Sequence, residues 1–273
     1  MAGFQLARKI ALQFFVIAGS VLFIFSVDQV AAEQVTVATA SNFILPMKAI
    51  AESFERDSDH KLTLVFGSSG KIYSQIKNGA PFDVFLSADQ DKAIALENES
   101  LTETNSRFTY AEGVLALWGP RVDASNSPLK ITSVFDVLKA GNFNRLAMAN
   151  PKLAPYGVAA SQALSALGLF DAVSSKIIRG ENISQAYQFV STGNAELGFV
   201  ALSQLKSNPE LDSKTYWLVP KNLHAPILQD AVVLKRAEGN AAVASFIRHL
   251  KTEDTRRLIE GFGYLLPARE VSR

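Results

Sequence analysis

Val35-Thr36-Val37-Ala38-Thr39-Ala40-Ser41-Asn42 opens the series that decides the fold. β-Branched residues alternate with neighbours as far as Thr39, as in a strand, and a polar turn follows. Met47, Ile50, Ala51 and Phe54 then recur at helical spacing. Pro46 is tolerated only in a first helical turn, so this helix starts close behind Ser41. Residues 62–66 repeat the strand, Gly67-Ser68-Ser69-Gly70-Lys71 the turn, and Ile72 and Ile76 the helix, which stops at Asn78-Gly79. A third apolar strand, residues 84–86, runs into Ser87-Ala88-Asp89. Such a βαβαβ series winds a parallel sheet.

A second series follows. Residues 108–118 are strand-rich around Gly113, and Gly119-Pro120 ends them. Residues 146–149 read as a short strand, 150–157 as a loop bearing Pro and Gly, and 158–167 as an Ala-rich helix. Ile183, Ala186, Tyr187 and Val190 mark a helix closed by Gly193, residues 197–202 a buried strand, and 231–234 one more strand. Val243, Phe246, Ile247 and Leu250 share one face of a C-terminal helix. Two βα series joined by extended segments predict two α/β lobes, 33–112 with 222–273 and 113–221. Two crossings make a hinge, and the cleft between the lobes is the expected ligand site.

The 273 residues suffice for two lobes. With 27 basic and 26 acidic residues there is no basic field to suggest nucleic acid. The absence of cysteine excludes disulfides and thiolate metal sites. Arg8 and Lys9 precede an apolar run, residues 10–27, and Val30-Ala31-Ala32 offers small residues for cleavage before Glu33. We read residues 1–32 as a secretory signal peptide and the mature protein as periplasmic. A retained anchor is the alternative, since the run approaches bilayer-spanning length.

The two turns, Ala40-Ser41-Asn42 and Gly67-Ser68-Ser69-Gly70-Lys71, each link a strand to a helix start. Backbone N–H groups, hydroxyls and the positive end of the helix dipole gather at such places. Two of them along one sheet edge describe a receptor for a small anion more readily than a catalytic site. A nucleophile elbow needs Gly where Lys71 stands, and a phosphate-binding P-loop needs Gly at Val65. His60, His224 and His249 lack metal-ligand spacing and read as surface residues. Asp83 and Asp89, flanking a strand, read as caps and turn formers. No catalytic constellation remains. Lys71, just inside the second helix, reads as a solvated ammonium.

Gly79-Ala80-Pro81-Phe82-Asp83-Val84-Phe85-Leu86-Ser87-Ala88-Asp89-Gln90 resembles the GAPxDxFxSAD pattern of the periplasmic molybdate-binding proteins that serve ATP-driven transporters. Residues 38–42 and 66–70 look like that family's two oxyanion turns, and residues 198–203 like its late strand. The resemblance runs from Val35 to about Leu266. It implies a type II periplasmic binding protein: α/β, two-lobed, each lobe a mostly parallel sheet flanked by helices, with the ligand in the interlobe cleft. It also implies a monomer without a cofactor that passes molybdate or tungstate to the membrane permease of an ABC transporter. Carried over, Ser41 and Ser69 would donate hydroxyl and backbone hydrogen bonds, and Asn42 its backbone N–H or its amide. Tyr156 and Ile183 would add backbone N–H groups from the second lobe. Molybdenum would be held as the oxyanion, with no direct metal ligand. Many members place a ligand-contacting tyrosine where this chain has Ala201, which leaves Asn42, Tyr156 or Ser203 to replace it.

A site built only of donors rejects an anion that still carries a proton, because that O–H would face another donor. An unmatched buried polar group costs roughly 1–3 kcal/mol. Phosphate is excluded on this ground, whereas sulfate, a bare dianion, is excluded only by size. Sulfate binding and a small-ester hydrolase acting through Ser69 are the alternative readings.

Overall fold

The computed structural model describes residues 33–119, 133–206 and 215–267. Residues 1–32, the expected signal peptide, lie outside the described residues. In chain order the strands are β1 (Gln34–Ala40), β2 (Lys61–Gly67), β3 (Val84–Leu86), β4 (Phe108–Gly113), β5 (Leu115–Trp118), β6 (Leu146–Ala149), β7 (Ile177–Gly180), β8 (Leu197–Ala201), β9 (Tyr216–Leu218) and β10 (Ile227–Val233). The helices are α1 (Ile44–Asp57), α2 (Ser69–Lys77), α3 (Asp91–Asn98), α4 (Val134–Ala140), α5 (Pro155–Ala166), α6 (Phe170–Val173), α7 (Ile183–Ser191), α8 (Leu202–Lys206), α9 (Ala241–Leu250) and α10 (Glu253–Gly261). Among the described residues no helix is long and apolar enough to cross a membrane.

Ten strands form two five-stranded sheets, ordered β2-β1-β3-β10-β4 and β7-β6-β8-β5-β9. In the first, β2, β1 and β3 are parallel, and β10 runs antiparallel to both β3 and β4. In the second, β7, β6 and β8 are parallel, and β5 is antiparallel to both β8 and β9. Each sheet therefore has one reversed strand, and both reversed strands lie where the chain crosses between sheets. The strand-rich run 108–118 is split at Val114, with β4 in the first sheet and β5 in the second.

Apolar side chains on the two faces of the first sheet bury separately. Val35, Val37, Val84 and Leu86 pack with Phe43, Met47 and Phe54 and with Val243 and Phe246 of α9. Ala38, Phe85 and Val232 pack with Ile72 of α2 and Leu96 of α3. The second sheet shares one core with Tyr156, Ala160 and Leu164 of α5 and Ile183, Ala186 and Val190 of α7.

Four sequence expectations need correction. Residues 155–157 belong to α5: Pro155 takes the first helical position, where its missing N–H costs nothing. The strand expected at 197–202 ends at Ala201, and Leu202 starts α8. The strand expected at 231–234 begins at Ile227, because Gln229 and Asp230, polar as they are, are fully buried. His60 is buried too, stacked on Phe54, and is not a surface residue.

Candidate functional site

All five residues singled out above, Ser41, Asn42, Ser69, Tyr156 and Ile183, line one small cavity. Ala40, Gly67, Ser68, Ala88, Ala154 and Pro155 complete its walls. It lies between the ends of β1 and β2 and the starts of α5 and α7 and measures about 10 Å³. Among the described residues no carboxylate, ammonium, guanidinium or imidazole lines it. An open groove of about 430 Å³ shares Ala88, Ala154 and Pro155 with it and leads outward. The five candidate residues line the small cavity, not the groove.

Each wall is a helix or turn start. Ser41 opens a 3-10 turn that has no side-chain cap and continues into α1. Its hydroxyl has no partner among the described residues, while its carbonyl accepts from Ser184 Oγ at 3.0 Å. Ser69 is the first residue of α2, whose cap Ser68 accepts from Lys71 N–H at 3.4 Å. The backbone N–H of Ala88 donates to Ser69 Oγ at 2.9 Å. With that lone pair occupied, the Ser69 proton is left to donate toward the cavity. Ala88 lies in the Ser87-Ala88-Asp89 end of the signature stretch, so that stretch orients the second turn. Tyr156 is the second residue of α5, and Ile183 the first of α7, which Asn182 caps by accepting from Gln185 N–H at 3.0 Å. First-turn N–H groups have no partner inside a helix, and the dipole makes that end partly positive. The site is a converging set of neutral donors.

Side chains behind these walls form a buried network. Asn42 Nδ2 donates to Gln229 Oε1 at 2.8 Å and to Tyr264 OH at 3.0 Å. The Asn42 carbonyl accepts from Tyr264 OH at 2.7 Å and Ser203 Oγ at 2.9 Å. Tyr110 OH donates to Gln229 Oε1 at 2.9 Å. Burial pushes the phenols of Tyr110, Tyr156 and Tyr264 above the usual tyrosine range, so they stay protonated at neutral pH. The Asn42 amide, the Tyr156 hydroxyl and Ser203 are thus engaged behind the wall. The option that one of them replaces the missing tyrosine donor by its side chain is not what this arrangement provides. Ala201 itself lies outside the cavity wall, its N–H donating to Gln204 Oε1 at 3.0 Å.

The remaining candidates have structural partners. Lys71 is not solvated alone: its ammonium pairs with Glu181 at 3.0 Å, across the cleft. Beside it, Gly70 N–H donates to the Leu153 carbonyl at 3.0 Å. Asp83 accepts from Thr36 N–H and Arg236, and Asp89 from Lys92 N–H at the start of α3. Sequence reasoning missed Gln229, Tyr110 and Tyr264. The one available signal was Gln229-Asp230, two adjacent polar residues inside an apolar strand.

Two mixed sheets closed on a donor-lined cavity are the architecture of a two-lobed solute-binding protein, and residues 35–265 match the family model described as bacterial extracellular solute-binding protein. The chain is 48% identical over 85% of its length, and 90% of the relative's, to the molybdate-binding protein of Azotobacter vinelandii. It is 40% identical to that of Rhodobacter capsulatus, over 86% of this chain and 89% of the relative. The solved structure of the Azotobacter vinelandii periplasmic molybdate-binding protein superposes with a TM-score of 0.79 and 34% identity, covering 86% of this chain and 100% of that one. The chain belongs to the bacterial extracellular solute-binding proteins, in the family of the molybdate-binding proteins.

Proposed function

We propose that this protein captures molybdate or tungstate outside the cytoplasm and delivers it to the membrane permease of an ABC transporter. The observation that carries this reading is the convergence of hydroxyl and first-turn N–H donors on one cavity without a charged side chain. Ser41 and Ser69 donate hydroxyl and backbone hydrogen bonds, and Asn42, Tyr156 and Ile183 donate backbone N–H groups. The relatives named above, molybdate-binding by their names, support the choice of anion. The protein works as a monomer in the periplasm, after removal of residues 1–32, and needs no resident cofactor.

The first lobe, 33–112 with 222–273, and the second, 113–221, part to admit the anion and close on it. The crossings at Val114 and before Ile227 are the hinge. In this reading the protein has no catalytic role: general-base catalysis at Ser69 would need a basic group in reach of its proton, and none lines the cavity among the described residues.

Calorimetric titration of residues 33–273 with molybdate, tungstate, sulfate and phosphate tests the reading. Molybdate or tungstate should bind tightly and phosphate not at all; tight sulfate binding with no molybdate response would overturn it. Lys71 and Glu181 are half exposed, and such pairs contribute about 0–1 kcal/mol. Lys71→Ala should therefore change molybdate affinity by less than about fivefold. A hundredfold loss would make Lys71 a counter-charge for the anion.

A further inference from the structure

Gln229 has no place in the cavity wall, yet it touches what holds both sides of it. It is fully buried on β10, one of the two crossing strands, where the pairing with β4 shifts register between Gln229 and Asp230. Such a bulge re-aims a side chain. Its carbonyl oxygen accepts from Asn42 Nδ2 at 2.8 Å and Tyr110 OH at 2.9 Å. Its amide nitrogen lies 3.5 Å from Tyr156 OH. Asn42 belongs to the first turn and Tyr156 to the start of α5, so one carboxamide bridges a donor wall of each lobe. The contact sits at the other crossing as well: a Cβ on Gly113 would lie 2.2 Å from Tyr156 OH and 2.7 Å from Gln229 Nε2.

The Gln229 carboxamide offers an acceptor to Asn42 and Tyr110 and a donor to Tyr156 at once. An apolar side chain there removes an acceptor from Asn42 Nδ2 in the first lobe and a donor from Tyr156 OH in the second, while Tyr110 OH keeps the Ser87 carbonyl at 3.0 Å; partly satisfied buried networks lose their fixed geometry. Resting on the oxyanion reading of the cavity, we propose that Gln229 is its positioning residue. It sets the Asn42 turn and the Tyr156 helix start in register, so that donors from the two lobes converge on one anion. It acts through Asn42 and Tyr156, and does not touch the anion.

The test is a set of double-mutant cycles read by calorimetry with the oxyanion that the unsubstituted chain binds. Gln229→Met should weaken binding by about tenfold or more. Tyr156→Phe keeps its backbone N–H but loses the hydroxyl, and should weaken binding several-fold. The two together should be clearly less than multiplicative, because they share the Gln229–Tyr156 contact. Gln229→Met with Ser69→Ala should come closer to multiplying, since Ser69 is oriented by the Ala88 N–H and not by Gln229 itself. General loosening of the fold would multiply in both cycles. Binding by Gln229→Met within twofold of the unsubstituted chain, or multiplication in the Tyr156 cycle, overturns the proposal. If Gln229→Met does not fold, Tyr156→Phe alone decides: unchanged affinity overturns it, a several-fold loss with an unchanged melting point supports it. Absence of binding of molybdate, tungstate, sulfate and phosphate by the unsubstituted chain overturns the oxyanion reading and the proposal with it; loss confined to the variants cannot be mistaken for that result.

Discussion

Alanine at Ser41 and Ser69 together is expected to cut molybdate affinity by two orders of magnitude or more. The two hydroxyls are the side-chain donors we propose for the anion, and each bond from a donor to a charged acceptor contributes about 1.5–3 kcal/mol. Each single change should therefore weaken binding roughly 10- to 150-fold. The singles should differ in what else they do. Ser41 Oγ has no partner in the protein among the described residues, so Ser41→Ala should leave the melting temperature of the unbound protein unchanged. Ser69 Oγ accepts from Ala88 N–H at 2.9 Å, and its loss leaves that buried donor unmatched. Ser69→Ala should therefore also destabilise the unbound protein, by about 1–3 kcal/mol. Calorimetry gives the affinities and thermal melts the stabilities. A double variant that binds molybdate as tightly as the unsubstituted chain would remove both turns from the site.

What could be read from the sequence was what is local. The first βαβαβ unit is legible because its apolar runs are bounded by Gly, Ser and Asn turns, and strand and helix periods do not overlap there. The donor turns are legible for the same reason, since each is one strand end and one helix start. What joins the lobes was not legible. Asn42 meets Gln229 and Tyr264 over 187 and 222 residues of chain, and no period or motif links such partners. The partner of the exposed Lys71 was not legible either, since Glu181 stands 110 residues away. Tyr156 and Ile183 came from the family resemblance alone, because a backbone N–H leaves no mark in the side-chain pattern.

The error at 150–157 has a physical cause. In sequence, Pro155 and Gly157 read as helix breakers, yet proline suits a first helical position and this glycine is there for space. Gly157, the third residue of α5, rests on the end of β6. A Cβ there would lie 2.3 Å from the Ala149 carbonyl oxygen and 2.8 Å from both Ala149 C and Pro151 N. All three are backbone atoms, so no side chain can swing aside. Helix propensity alone would make Gly157→Ala favourable by about 1 kcal/mol. Overpacking against fixed atoms costs about 1–3 kcal/mol and occasionally more, so we expect the clash to win. The melting temperature should then fall by several degrees, at about 2–4 °C per kcal/mol for a domain of this size. Affinity should fall as well, about tenfold or more, because relieving the clash lifts the start of α5 and carries the neighbouring Tyr156 N–H away from the cavity. Gly261 is the control: it also lies in a helix, α10, and a Cβ there meets nothing within 4 Å. Gly261→Ala should be neutral or slightly stabilising and leave affinity unchanged. If Gly157→Ala melts and binds like Gly261→Ala, then α5 is not seated on β6, and Tyr156 does not owe its place at the cavity to that close approach.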